Sequence, residues 1–422
     1  VNVTTNMLPG DKYIDFLDYG ASLFDRAFTG EYKDLRDYLT RTSEDPEATN
    51  HNAIGRIWAV MSFHRLTDIY GDVPYFDAGK GYSENVWSPV YDPQDQIYYH
   101  MLGELEAAAA QLSASGDNVG SQDIVYGGDV EQWRKLANSL MLRLGLRLVK
   151  VDPAGAQAWV QKAIAGGVMD NLFDIAKTEH QLDGGWQNSN PIGESFNVDK
   201  FMRLSDTFVS WMQDNNDPRL DILSWVESGA PHQGLPNGLD PTTLESDGPA
   251  GGDLLDYSRI NQALVQRESP FMFITYAEVE LMLAEAALRG WHSGDAATHY
   301  ENGIRAAIAN WAFYGVAVPD TATIDAYVAG VPFNTTDGME LIGEQYWAAT
   351  FLNPWEGYAN WRRIEFPVLT PVNYPGNATG GTIPRRLKYP DTEYTLNGDN
   401  VRAADARQGP NEYTTRVWWD KQ

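Results

Sequence analysis

A chain of 422 residues with 43% hydrophobic content can bury a substantial core, as one large domain or two to three average ones. Its 58 acidic and 31 basic side chains leave a net charge of −27, which repels a phosphate backbone and argues against an anionic ligand. Cysteine is absent, which excludes disulfides, thiolate metal sites and cysteine nucleophiles, and no apolar run is long enough to span a bilayer.

The chain starts at Val1 without an initiator Met, an apolar leader or a Cys, and reads as a mature or trimmed form. A first helix is expected over Tyr13 to Phe28. Ile54, Ile57, Trp58, Met61, Leu66 and Ile69 recur at helical spacing, so Asn52 to Tyr70 reads as an amphipathic helix. Gly71 ends it and Pro74 prevents its resumption. Asp92 is placed to cap a new helix with Pro93 at its first position, and Ile97, Met101, Leu105, Ala108 and Leu112 form its apolar stripe. The crossover between these helices carries Tyr75, Phe76, Tyr82, Trp87 and Tyr91. Such a loop must pack or bind something.

Further on, Asp129 and Gln132 make a capping box for a long helix with Trp133, Leu136, Leu140, Leu144 and Leu148 on its buried face. Asp152 and Pro153 launch a shorter helix running toward Gly166 and Gly167, and the two pair as an antiparallel hairpin. Phe273 to Asn310 repeats this pattern, with Tyr276, Val279, Leu283 and Ala287, a turn at Gly290 and Trp291, then Tyr300, Ile304 and Ile308. The layout is tetratricopeptide-like, and stacked hairpins give a short curved solenoid. Helices are also expected over Ser205 to Gln213 and Met339 to Leu352, with few strands. The fold expected is mostly α, a single domain over 1–422 decorated by long loops near 177–200, 227–269, 312–337 and 371–422.

Fourteen tryptophans are present. Those on helical stripes or helix turns read as core, whereas Trp87, Trp186, Trp225, Trp311, Trp355, Trp418 and Trp419 fall in loops or at their edges. An indole face suits the C–H face of a pyranose, provided that amide or carboxylate partners for the hydroxyls stand beside it. Trp87 lies with Tyr82, Ser83, Glu84 and Asn85. The stretch DGGWQNSN puts Trp186 beside Asp183, Gln187, Asn188 and Asn190. Trp311, Phe313 and Tyr314 offer a second platform after the later hairpin. The competing role for each ring is packing. No HExxH, GxSxG, Walker-type phosphate loop or Rossmann fingerprint occurs. The seven histidines, at 51, 64, 100, 180, 232, 292 and 299, include no His-x3-His pair and are expected in solvated or core roles. No cofactor is expected. Structural calcium on loop carboxylates such as Asp247 and Asp253 is an option, although EF-hand order is missing. Arg362, Arg363 and the run Arg385 to Lys388 are expected to pair with nearby acids.

Leu66 to Leu112, containing YGDVPY and YDPQDQIY, resembles the SusD/RagB family of nutrient-binding outer-membrane lipoproteins of Bacteroidetes. Similarity continues through Asp129 to Lys150, Phe273 to Ile308, WRRIEFPVL (361–369) and IPRRLKYPDTEY (383–394). The resemblance implies a non-catalytic cell-surface protein that captures a polysaccharide or oligosaccharide and delivers it to a SusC-like TonB-dependent transporter. It also implies a lipid anchor on an N-terminal Cys, cut away from this chain. In that family the crossover after GDVP contributes an aromatic platform, which makes Trp87 the first residue to carry over. A neutral glycan is expected, with a lean toward a glucan such as laminarin or starch. The rivals are a helical glycoside hydrolase, which needs six hairpins where three or four are visible, and a protein-interaction scaffold that binds no glycan.

Overall fold

Four of the scaffold helices begin where a side-chain oxygen just upstream takes the free N–H groups of the first turn. In the computed structural model, which describes residues 1–3, 10–180 and 188–421, the scaffold starts with α1 (Tyr32–Glu44), α2 (Thr49–Tyr70) and α3 (Gln94–Gln111). It continues through α4 (Val130–Arg147), α5 (Pro153–Gly166), α6 (Tyr276–Leu288) and α7 (Ala296–Ala309). The last members are α8 (Gly338–Ala349), α9 (Pro354–Ile364) and α10 (Gly398–Gln408). Asp129 accepts the N–H groups of Glu131 and Gln132, Asp152 that of Gly155, and Thr275 and Glu278 form a reciprocal capping box. The expected box at Asp129 is half made, because the Gln132 side chain donates to the Phe173 carbonyl instead.

Consecutive helices pack as hairpins, α2 on α3, α4 on α5 and α6 on α7, and α3 against α4 joins the first two. This is the mostly α, tetratricopeptide-like stack that the apolar stripes require. The paired strands are short and antiparallel: Ala176–Thr178 with Phe271–Ile274, and Ser224–Trp225 with Arg259–Ile260.

Three expectations need correction. The helix placed over Tyr13 to Phe28 covers Leu17–Arg26 and passes through a wider π turn, Ala27–Glu31, into α1. The segments taken as loops contain helices at Pro191–Val198, Pro241–Asp247 and Thr321–Gly330, each opened by an Asn or Asp cap, and α10 lies in the C-terminal one. Asp92 does not cap α3. Pro93 sits outside that helix, and the N–H of Gln94 reaches the Oδ1 of Asp72 at 2.9 Å.

Between the hairpins lies a buried ionic knot. Arg143 of α4 meets Glu278 of α6 at 2.6 Å and Glu356 of α9 at 3.5 Å, and Arg147 meets Glu356 at 2.6 Å and Asp68 of α2 at 3.8 Å. Tyr346 of α8 donates to Glu356, Tyr98 of α3 to Asp68, and the Trp419 indole N–H to Asp68. Removing one partner would leave an uncompensated charge in the core, a cost of about 3–5 kcal/mol. Of the five C-terminal cations expected to pair with acids, three do, while Arg362 and Arg386 are instead held by aromatic rings and carbonyl or amide oxygens. Arg363 pairs with Glu285, Arg385 with Glu365, and Lys388 with Asp15, while Arg362 lies over Trp419 and Arg386 over Tyr389.

Candidate functional site

The crossover from α2 to α3 is pinned at its base and open at its tip. Val73 and Asp92 bridge as antiparallel partners, and the Asp92 carboxylate accepts the N–H groups of Tyr75 and Phe76, both at 2.9 Å. Tyr75 and Tyr91 are buried. Tyr91 packs against Phe24 and Tyr389, and its hydroxyl donates to Glu393 at 2.7 Å. Asp72 joins both sides of the crossover to α10, because Arg407 reaches its carboxylate at 2.9 Å and the Tyr91 carbonyl at 2.6 Å. Burial raises the Asp72 carboxyl pKa, opposed by the Gln94 N–H and by Arg407. Asn397 and Asn400 hold the Pro89 and Ser88 carbonyls at 2.8 and 3.1 Å.

At the tip the chain makes a single helical turn, Gly81–Glu84, which Asn85 ends in the left-handed conformation at φ 59°. Asparagine tolerates that region better than most residues. The Trp87 ring lies over Gly81, where an added Cβ would come within 3.0 Å of it. Tyr82 meets Trp87 edge to face, with centroids 5.6 Å apart and planes at 77°. Tyr82 is 81% exposed and Trp87 67%. Ser83, Glu84 and Asn85 are exposed beside the rings, and Lys80 is shared by Asp77 at 3.3 Å and Glu84 at 3.5 Å. This rim offers hydroxyl, amide and carboxylate partners and no spare cation, which suits an uncharged polyol.

The other expected platforms fare differently. Asp183 and Trp186 lie outside the described residues. Asn188 is half-buried, and its backbone carbonyl accepts from the His180 ring at 3.1 Å. Trp311 is a correction: its ring is 4% exposed and packs in the core against Tyr314 and Phe351. The cause is that Asn310–Tyr314 continues α7 as a 3-10 turn, so Trp311 extends the buried stripe of Ile304 and Ile308. That i, i+4, i+7 spacing was available in the sequence. Tyr314 is half-buried, and desolvation raises its phenol pKa. Phe313 of this cluster, also half-buried, meets the 74% exposed Phe173 edge on at 6.2 Å.

A second concave surface, of about 530 Å³, has Phe208, Trp347, Phe351, Tyr358 and Trp361 among its walls. Trp347 and Trp361 sit on helical stripes and read as packing from sequence, and no local signal joins residue 208 to residues 347–361. Asp253 accepts the Leu255 N–H through Oδ1, and among the described residues no three His, Asp or Glu side chains form a metal cage.

The sequence profile described as "Starch-binding associating with outer membrane" matches residues 2–390. The chain belongs to the SusD-like family. Among solved structures, a chitin-binding protein is similar with a TM-score of 0.92 and 35% identity, over 100% of this chain and 92% of that one. A SusD-like protein of Bacteroidetes follows with a TM-score of 0.89 and 26% identity, over 100% and 93%. A chitin-binding SusD homologue from Flavobacterium johnsoniae has a TM-score of 0.80 and 26% identity, over 100% and 92%. No curated protein matches the chain. SusD-like proteins hold carbohydrate without transforming it, so this is a glycan-binding protein rather than an enzyme, and its family is associated with the outer membrane. Among the described residues, no helix is long and apolar enough to cross a membrane.

Proposed function

We propose that the Tyr82 and Trp87 pair is the platform on which this SusD-like protein captures a neutral polysaccharide, with chito-oligosaccharides as the first candidates. The observation that carries this reading is a pair of aromatic rings, both mostly exposed, held at the tip of a crossover whose base is fixed by buried groups. A loop already ordered loses little freedom on binding, so more of the stacking energy becomes affinity. The shared Lys80 and the net charge of −27 favour an uncharged chain, and chitin, laminarin and starch all qualify. Two structural relatives named for chitin move chitin ahead of the glucans. The captured glycan is then delivered to a SusC-like TonB-dependent transporter, with the protein tethered to the cell surface by an N-terminal lipid.

The test is titration of chitohexaose, laminarihexaose, maltohexaose and a sulfated oligosaccharide against the purified chain, with mass spectrometry of the sugar afterwards. Saturable binding of a neutral member, recovered intact, is expected. Binding of none supports the scaffold alternative, and preference for the sulfated member overturns the charge argument.

A further inference from the structure

The turn between α6 and α7 brings together two histidines seven residues apart in the chain. His292 and His299 face each other Nε2 to Nε2 at 3.2 Å, with ring centroids 5.1 Å apart. On the far side of the His299 ring, Nδ1 meets the Oε2 of buried Glu280, from α6, at 2.7 Å. That contact places a proton on Nδ1, fixes the ring and turns the Nε2 lone pair toward His292, as a carboxylate does behind a metal-binding imidazole.

Two imidazole nitrogens, each about 2.05 Å from one zinc ion and separated by the observed 3.2 Å, subtend about 103° at the metal, near the tetrahedral angle. With both lone pairs aimed at that ion, the ring centroids fall about 5.0 Å apart, against 5.1 Å in the structure. Gly294 adds an independent observation. A Cβ there would lie 2.4 Å from the Nε2 of His299 and 2.5 Å from that of His292, so glycine keeps the space between the rings clear.

We propose that His292 and His299, oriented by Glu280, bind one divalent transition-metal ion of the zinc and copper class, with water completing the coordination. Imidazole nitrogen selects this class over calcium or magnesium, which take oxygen donors. The ion replaces the contact between the two rings and fastens the turn after α6 to the first turn of α7.

The test is calorimetric titration of the tag-free chain with ZnCl2, and EPR of the CuCl2-loaded chain. One equivalent of zinc per chain is expected, with a copper signal split by two nitrogens. His292→Ala and His299→Ala should abolish that equivalent. Glu280→Gln should weaken it about tenfold, and Gly294→Ala should weaken it with both ligands still present. Circular dichroism establishes that each variant is folded. The assignment is overturned if the unaltered chain takes up no equivalent, or if both His→Ala variants bind zinc as it does.

Discussion

Replacing Trp87 with alanine tests the platform directly. A tryptophan carries about 250 Å² of surface, and with Trp87 67% exposed about 170 Å² of it faces solvent. A pyranose covers one face, about half of that area. At about 25 cal/mol per Å² this contributes roughly 2 kcal/mol. Ordering the sugar trims the figure to about 1–2 kcal/mol, a roughly five- to thirtyfold loss of affinity. On the folding side the substitution removes the edge contact with Tyr82 and the cover over Gly81, both at the surface, and costs at most about 1 kcal/mol. Isothermal titration with chitohexaose, or with whichever neutral oligosaccharide binds, reads the affinity, and a thermal melt reads the stability. Affinity within twofold of the unaltered chain, or a melting temperature lowered by many degrees with binding preserved, would refute the assignment and make Trp87 a packing residue.

The converse holds for Trp311. Trp311→Ala empties a core position and should destabilise the fold by about 3–5 kcal/mol in a denaturant titration, while the glycan affinity of the remaining folded protein stays unchanged. Glu285 gives a test in acid. Burial alone would raise its carboxyl pKa, but Arg363, at 2.6 Å through both oxygens, and Arg289, at 2.8 Å, outweigh that and hold it at about 2 instead of 4.5. A depressed carboxyl pKa stabilises the fold fully above the unfolded value and loses that contribution as pH falls through the folded one. About 3 kcal/mol should therefore disappear between pH 4.5 and about 2. Glu285→Gln should lower stability at neutral pH by about 3 kcal/mol and flatten the curve across that window. Parallel pH curves for the two proteins would refute this account.

What the sequence could reveal depended on how local the deciding interaction is. The starts of α4 and α5 were legible because Asp129 and Asp152 cap residues two or three positions away. The start of α3 was misassigned, because Asp92 was adjacent while the oxygen actually used belongs to Asp72, 22 residues upstream. In α2 the apolar stripe was correct but incomplete, since Asn50, His64, Thr67 and Asp68 are buried on the same helix. Nothing in a period of 3.6 marks which carboxylates go inside, because the partners of Asp68 include residues of α3, α4 and the C-terminus. Helices α1 and α10 escaped for a related reason. Both are strongly polar: α10 buries only Val401 and Ala404, and in α1 the single stripe of Tyr32, Leu35 and Leu39 is diluted by charged neighbours. At the candidate site, ring composition was readable, and so was the burial of Trp311 from its i, i+4, i+7 spacing, whereas the exposure of Trp87 was not. The 3-10 turn after α7 turned Trp311 inward, while Gly81 and Asn85 left Trp87 outside. His292 and His299 looked unrelated until the turn brought them together.

The buried ionic knot bears on how the scaffold comes apart. In an ordinary helical repeat array each unit contacts only its neighbours, so an end unit can fray while the remainder stays ordered. Here Asp68, Arg143, Arg147, Glu278 and Glu356 come from four helices spread over most of the chain, and Trp419 near its end donates to the same cluster. Loosening any of those helices exposes charges that the others need. Heat should therefore melt these helices in a single cooperative transition, and truncation before Trp419 should weaken α2 near the other end of the chain.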